Sequence, residues 1–145
     1  GARAQNWLRQ EKSYRAFETE LGRDATPLEA GLDRFVNLSK EFHGKAAMID
    51  TGIRSRCVTL LIDGPADADP WGREALYAGD ARVGRLTSGG YSVAFGKSIG
   101  MGYVSPDHSI PGTKLQVKMF DKLWDAAVTE DSPYDPKNAV IRVDS

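Results

Sequence analysis

Residues Ala81 to Val104 read ARVGRLTSGGYSVAFGKSIGMGYV, and this stretch sets the expected architecture of the chain. Its apolar residues come in short bursts, and glycines at positions 84, 89, 90, 96, 100 and 102 lie between them. Each interior glycine would cost a helix roughly 1 kcal/mol, so the pattern predicts strands joined by tight turns. Glycine also admits positive φ and close approach of another backbone, which is typical of a small, curved, closed β structure.

Further strands are predicted on both sides of this stretch. Residues 56–63, RCVTLLID, form a β-rich run, and Glu74 to Tyr77 reads as a short strand. Ala78 to Asp80 reads as the turn of a hairpin that leads into the central stretch. Lys114 to Phe120 alternates polar and apolar residues, and Trp124 to Thr129 follows as the last strand. We therefore expect an antiparallel barrel of about six strands.

The residues before the barrel favour helices. Helix formers dominate from Ala2 to Leu21, with an irregular apolar spacing that predicts a helix end near Arg9 or Gln10. Thr26 to about Asn37 begins with a threonine cap, a proline and an acid, and so predicts a second helix. A third short helix is expected near Gly44 to Met48.

Helices and strands that are segregated along the chain indicate an α+β fold. The expected architecture is an N-terminal helical segment followed by a small C-terminal antiparallel β-barrel. We place the helical segment at residues 1–52 and the barrel domain at residues 53–145.

Composition excludes several classes of protein. The net charge of −1 provides no basic surface for nucleic acid. A single cysteine, Cys57, rules out an internal disulfide and a cysteine zinc cluster, and fits a reducing compartment. There is no apolar run of the roughly 20 residues that a membrane helix needs, and no signal-peptide pattern. We therefore expect a cytoplasmic protein without a bound metal, and the residues nominate no catalytic group.

Charged residues crowd the first helical segment, where Arg3, Arg9, Glu11 and Arg15 lie close together in sequence. One interpretation is a solvated face with local ion pairs, each worth a few tenths of a kcal/mol. The other is an arginine that faces an anion, because guanidinium suits planar carboxylates. Composition alone favours the solvated face.

Several motifs taken together resemble one family in order and spacing, over about Gly1 to Val128. The likeness is to the C-terminal part of the glycine cleavage T-protein (aminomethyltransferase) family, and most closely to the folate-binding region of dimethylglycine and sarcosine dehydrogenases. The matching strings are GARAQNWLRQEKSYRAFETEL, TPLEAGL, FHGKAAM, VGRLTSGGYS, GKSIGMGYV and PGTKLQV.

This resemblance implies one-carbon transfer to tetrahydrofolate, with a methylated amine as the substrate of the parent enzyme. It also implies FAD in an N-terminal domain, and upstream domains of the same polypeptide as partners. In the family motif G-x-R-x-x-x-x-L-R the first arginine contacts folate, and that position is Arg3. Arg9 and Glu11 match residues with a structural role, and the family's catalytic aspartate lies upstream of Gly1. We therefore expect these residues to be inactive alone.

Two other functions remain open at this stage. The chain could belong to a non-catalytic relative with the folate-binding fold, of the kind that assists iron–sulfur assembly or RNA modification. Alternatively, the barrel could be an interaction module that only docks partners. An exposed apolar patch with self-association would favour the interaction module.

Overall fold

The structure, a computed structural model, describes residues 1–65, 67–140 and 142. The predicted end of the barrel domain, residue 145, lies outside these residues. None of the helices in the described part of the chain combines the length and apolar character needed to cross a membrane.

Across the described residues, six antiparallel strands close into a barrel with the neighbour order β1-β4-β3-β2-β5-β6. The order closes because β1 pairs with β6 as well as with β4. The predicted barrel is confirmed. The four strands that were predicted with their own bounds lie within two residues of them, and the stretch from Ala81 to Val104 forms two strands as expected. The strands are β1 (Arg56–Ile62), β2 (Ala75–Ala78), β3 (Ala81–Ser92), β4 (Lys97–Val104), β5 (Lys114–Met119) and β6 (Lys122–Val128).

The barrel interior is filled by alternate side chains of the strands. In β5, Leu115, Val117 and Met119 are buried while the residues between them are not, as the alternating pattern predicted. With residues from the other strands they form one apolar cluster. That cluster comprises Val58, Leu60, Ile62, Leu76, Leu86, Val104, Leu115, Val117, Met119, Ala126 and Val128.

The pairing of β3 with β4 depends on glycine. Gly102 lies against the backbone of β3, and a Cβ placed there would come within 2.8 Å of the Cα atom of Leu86. The register then shifts between Leu86 and Ser88, so Thr87 is an extra residue of β3 and forms a bulge. This bulge positions two hydroxyl groups that contact the N-terminal segment, as described below.

The N-terminal segment contains less helix than the sequence predicted. Helix α1 spans Ala2–Glu11 and ends close to the predicted position, and α2 spans Lys45–Thr51. The predicted helix from Thr26 to Asn37 is wrong. That stretch consists of turns, with a single 3₁₀ turn at Asp33–Phe35.

The reason for this difference lies in the first turn of the stretch. The predicted cap forms, because Thr26 N–H donates to Glu29 Oε2 at 2.8 Å and Glu29 N–H donates to Thr26 Oγ1 at 3.2 Å. Gly31 then adopts a φ of +70°, which ends the helical path only two residues after Glu29. A capping pattern therefore marks a turn here without extending into a helix.

Candidate functional site

Arg3, the predicted ligand-binding residue, lies on the first turn of α1 at the edge of an open groove. Its side chain is 70% exposed, and its Nη2 donates to Asp69 Oδ2 at 3.0 Å. The guanidinium carbon lies 5.1 Å from the centre of the Trp7 ring. The Arg3 guanidinium is therefore held by the ion pair with Asp69 at one edge and by the face of the Trp7 ring.

The groove beside Arg3 has a volume of about 410 Å³. Its walls combine aromatic rings with charged groups, and Trp71 on the rim is 86% exposed. Such a mixture suits a planar ligand that also carries polar groups. The lining residues are Arg3, Trp7, Asp67, Ala68, Asp69, Trp71, Tyr91 and Phe120.

One wall of the groove is α1, which approaches β3 closely at Gly90. A Cβ on Gly90 would lie 2.6 Å from Nε1 of Trp7, so the indole fits only because position 90 lacks a side chain. The next residue, Tyr91, packs edge-on against Trp7 with ring centres 6.4 Å apart. Trp7 therefore has a fixed place between β3 and Arg3.

The other wall is the loop between β1 and β2, which contains Asp69 and Trp71. Pro70 of this loop packs on Gly89, where a Cβ would lie 2.7 Å from the Cβ of the proline. Both oxygens of Glu74 accept backbone hydrogen bonds, from Trp71 N–H and Gly72 N–H, at 2.8 Å each. The adjacent residues Gly89 and Gly90 of β3 thus allow the two walls of the groove to pack closely against the strand.

Arg3 offers hydrogen-bond donors to the groove. Within the described residues, Arg3 uses one N–H group for Asp69, while a guanidinium carries five donors. Trp71 offers an exposed aromatic face on which a planar ring can stack. These features are compatible with one acidic or carbonyl group attached to a flat ring system.

Behind the groove, α1 is anchored by a buried ion pair. Arg9 Nη1 donates to Glu20 Oε2 at 2.9 Å, and Arg9 Nη2 donates to Ser88 Oγ at 2.7 Å. The β3 bulge brings Thr87 and Ser88 to the same carboxylate, since both hydroxyls donate to Glu20 Oε1. Burial opposes ionisation of Glu20, but hydrogen bonds from Ser88 and its other donors outweigh burial and lower its pKa.

Two further polar residues fix α1 on β3. Glu11 Oε1 accepts a 2.5 Å hydrogen bond from Ser92 Oγ. Gln10 Nε2 donates to the Gly89 carbonyl at 3.1 Å. Composition favoured a solvated charged face for this segment. That interpretation holds for Arg3, which is exposed and ion-paired, but it is wrong for Glu11, which is buried, and for Arg9, which is mostly enclosed. The structural role that the resemblance implied for Arg9 and Glu11 agrees with these contacts.

The family resemblance predicted Arg3, but most of the residues around it were not predicted. Trp7, Asp69 and Trp71 are separated by up to 64 positions in the chain and meet only after the barrel closes. The one available signal was the Gly89-Gly90 pair inside a predicted strand, which indicates close approach of another part of the chain.

Cys57, the one cysteine of the chain, does not contribute a nucleophile. It is buried, and burial raises its pKa to about 12, so the thiolate is disfavoured near neutral pH. In the described part of the chain, no three His, Cys, Asp or Glu side chains cluster as metal ligands.

Comparison with known proteins gives a consistent result. Residues 55–135 match the model of the family described as the glycine cleavage T-protein C-terminal barrel domain. Dimethylglycine dehydrogenase of Rattus norvegicus, a mitochondrial protein, is 37% identical over 90% of this chain, which corresponds to 16% of its own length. The aminomethyltransferase of Thermosynechococcus vestitus is 35% identical over 92% of the chain and 37% of its own length.

A solved structure has the same fold. The glycine cleavage system aminomethyltransferase T of Bartonella henselae matches with a TM-score of 0.82 and 23% sequence identity. The match covers 92% of this chain and 38% of that protein. The chain therefore spans between about a sixth and two fifths of the length of these relatives.

Proposed function

Because the chain belongs to the family of glycine cleavage T-protein C-terminal barrel domains, we propose that it is the C-terminal part of a folate-dependent one-carbon-transfer enzyme. Dimethylglycine dehydrogenase is 37% identical along most of the chain, which supports a parent that also oxidises an N-methylated amine with FAD in an upstream domain. Residues 1–52 would then complete the folate-binding domain, and residues 53–145 would be the barrel domain.

The observation that carries this proposal is the position of Arg3 beside the aromatic groove. In the proposed site the guanidinium would bind a carboxylate or carbonyl group of tetrahydrofolate, and Trp71 would stack on one of its planar ring systems. Tetrahydrofolate, when bound, accepts the one-carbon unit. The residues described here bind and orient it, and the catalytic aspartate would come from the upstream part of the parent.

The N-terminal segment carries apolar side chains that support an upstream partner within the same polypeptide. Residues 1–53 expose eight large apolar side chains, and exposed apolar surface is typical of an interface. We propose that this surface contacts the preceding domain of the parent. The exposed residues are Leu8, Tyr14, Phe17, Phe35, Leu38, Phe42, Ile49 and Ile53. A cytoplasmic location stays a prediction from sequence.

Calorimetric titration with tetrahydrofolate tests the proposed site. The unmodified chain should release heat on binding, Arg3→Ala should weaken the binding by about tenfold or more, and Arg82→Ala should leave it unchanged. Arg82 is a matched control because it is an exposed arginine of β3 that does not line the groove. Binding that is equally strong in Arg3→Ala and in the unmodified chain would count against the site.

A separate assay tests whether catalysis needs the upstream part of the parent enzyme. The chain alone, supplied with tetrahydrofolate and a one-carbon donor, should form no methylene-tetrahydrofolate. Its formation would overturn the proposal that catalysis needs the upstream residues.

A further inference from the structure

Arg3 and Trp7 are four residues apart on α1, which places them on the same face of the helix. The guanidinium carbon lies 5.1 Å from the centre of the indole ring, within the range of a cation–π contact. A long and 70% exposed arginine would otherwise populate many rotamers. The indole therefore restricts where the guanidinium can lie.

Trp7 is in turn fixed by the barrel. Position 90 must be glycine, because a Cβ there would lie 2.6 Å from Trp7 Nε1 and still closer to Cδ1. Tyr91 supports the indole from its edge. β3 therefore fixes the position of the Arg3 guanidinium indirectly, through Trp7. The ion pair with Asp69 fixes the outer edge of the guanidinium.

We infer that Trp7, seated on Gly90, is a positioning residue that holds the Arg3 guanidinium at the groove for its ligand. The inference rests on the proposed function of Arg3. It adds that Arg3 binds more tightly when the Trp7 ring supports it, so the affinity for folate is set partly by residues that do not touch the ligand's charged group.

The first measurement concerns Arg3 itself and needs no folate. In the NMR spectrum of the chain, the ring current of Trp7 should shift the Cδ protons of Arg3 upfield. Trp7→Leu should remove the shift, and Trp7→Phe, which keeps an aromatic face, should retain most of it. An unshifted Arg3 in the unmodified chain would overturn the inference, since the stacked arrangement would then be absent in solution.

The second measurement is tetrahydrofolate titration of the same variants. Trp7→Leu should weaken binding by about tenfold, while Trp7→Phe should stay within about threefold of the unmodified chain. In the Arg3→Ala background, Trp7→Leu should have no further effect, because the positioned group is already missing. Equal losses in both backgrounds would contradict the inference, because Trp7 would then act independently of Arg3.

Gly90→Ala tests the contact between the indole and β3, and Gly100→Ala is its control. Gly100 is also a buried barrel glycine, but a methyl group there meets the end of the Leu86 side chain and neither Trp7 nor the loop with Asp69. Gly90→Ala should remove the upfield shift of Arg3, and Gly100→Ala should preserve it. If Gly90→Ala does not fold, the Trp7 variants decide the question on their own.

The two measurements separate this inference from the proposed function. A shift that depends on Trp7, together with no folate binding by any variant, would support the positioning of Arg3 and count against the folate contact. Folate binding that needs Arg3 but is indifferent to Trp7→Leu would support the proposed function and overturn the positioning role.

Discussion

Arg9 and Glu20 form an ion pair at 2.9 Å between α1 and the turn that follows it, and the side chain of Glu20 has no exposed surface. Ser88 completes the arrangement, because it accepts from Arg9 and donates to Glu20. Burial alone would oppose the charge of this carboxylate, so the hydrogen bonds from Ser88 and its other donors and the Arg9 cation together keep it ionised. The pair therefore locks the N-terminal segment to the bulge of β3.

Removing the cation of this pair should be costly. Arg9→Met leaves the Glu20 carboxylate buried without a counter-charge, and we expect the free energy of unfolding to fall by about 3 to 5 kcal/mol. Urea unfolding followed by circular dichroism measures the loss. Adding Glu20→Gln to Arg9→Met should restore part of it, because the uncompensated charge disappears. A loss below about 1 kcal/mol in Arg9→Met would contradict the structural role of the pair.

Acid should weaken the contact between the Thr26 turn and the start of the barrel. Hydrogen bonds from Arg54 lower the pKa of Glu29 from 4.5 to about 2. A carboxyl with a lowered pKa in the folded state stabilises the protein above about pH 4.5, and this contribution is lost as the pH falls towards 2. Since Arg54 is partly exposed, we expect about 1 to 2 kcal/mol to disappear in this window.

Comparison with Glu29→Gln isolates this carboxyl from the others that titrate in acid. The difference in unfolding free energy between the two proteins should be constant from pH 5 to 8 and should shrink below about pH 4.5. A difference that stays unchanged down to pH 2.5 would show that Glu29 does not carry the effect.

The barrel could be predicted because its signals are local. In β5 the alternation of Leu115, Val117 and Met119 survives in the structure, and the turn at Gly79 falls where the hairpin was expected. The prediction of a helix from Thr26 was wrong, and the reason is also local. The Thr26 and Glu29 pattern satisfies backbone groups in a single turn as well as in a helix, and Gly31 then decides the outcome.

The groove could not be predicted from local patterns. Trp7, Asp69 and Trp71 come together because α1 and the loop after β1 both rest on β3 at adjacent glycines. That contact depends on which residues of β3 face outward, and the bulge at Thr87 changes this alternation in the middle of the strand. Sequence periodicity carries no information about such a bulge, whereas the resemblance to a family drew attention to Arg3.

Cys57 should resist alkylation in the folded protein. Burial raises its pKa to about 12, so very little of the thiol is ionised at pH 8. Iodoacetamide should therefore modify the folded chain very slowly and the urea-unfolded chain readily. Because the chain has one cysteine, mass spectrometry of the intact protein measures this reaction directly. Similar rates in the two states would contradict the buried position of the thiol.

Arg15 and Asp131 should contribute unequally to stability although they pair at 2.9 Å. Asp131 is 57% exposed, so Asp131→Asn should cost less than about 1 kcal/mol. The Arg15 side chain is only 9% exposed and also donates to the Ser13 carbonyl at 2.7 Å and the Ala30 carbonyl at 3.0 Å. Arg15→Met leaves these acceptors unpaired and should cost about 2 to 3 kcal/mol.

Thermal unfolding at low and high salt distinguishes the two contributions of Arg15. Salt screens the exposed ion pair with Asp131, so 1 M NaCl should reduce the small effect of Asp131→Asn towards zero. The larger effect of Arg15→Met should persist at high salt, because hydrogen bonds to buried carbonyl groups are not screened. If both substitutions lost their effect in salt, Arg15 would act mainly as a surface charge, and the hydrogen bonds that tie it to residues 13, 30 and 131 would not hold the N-terminal segment in place.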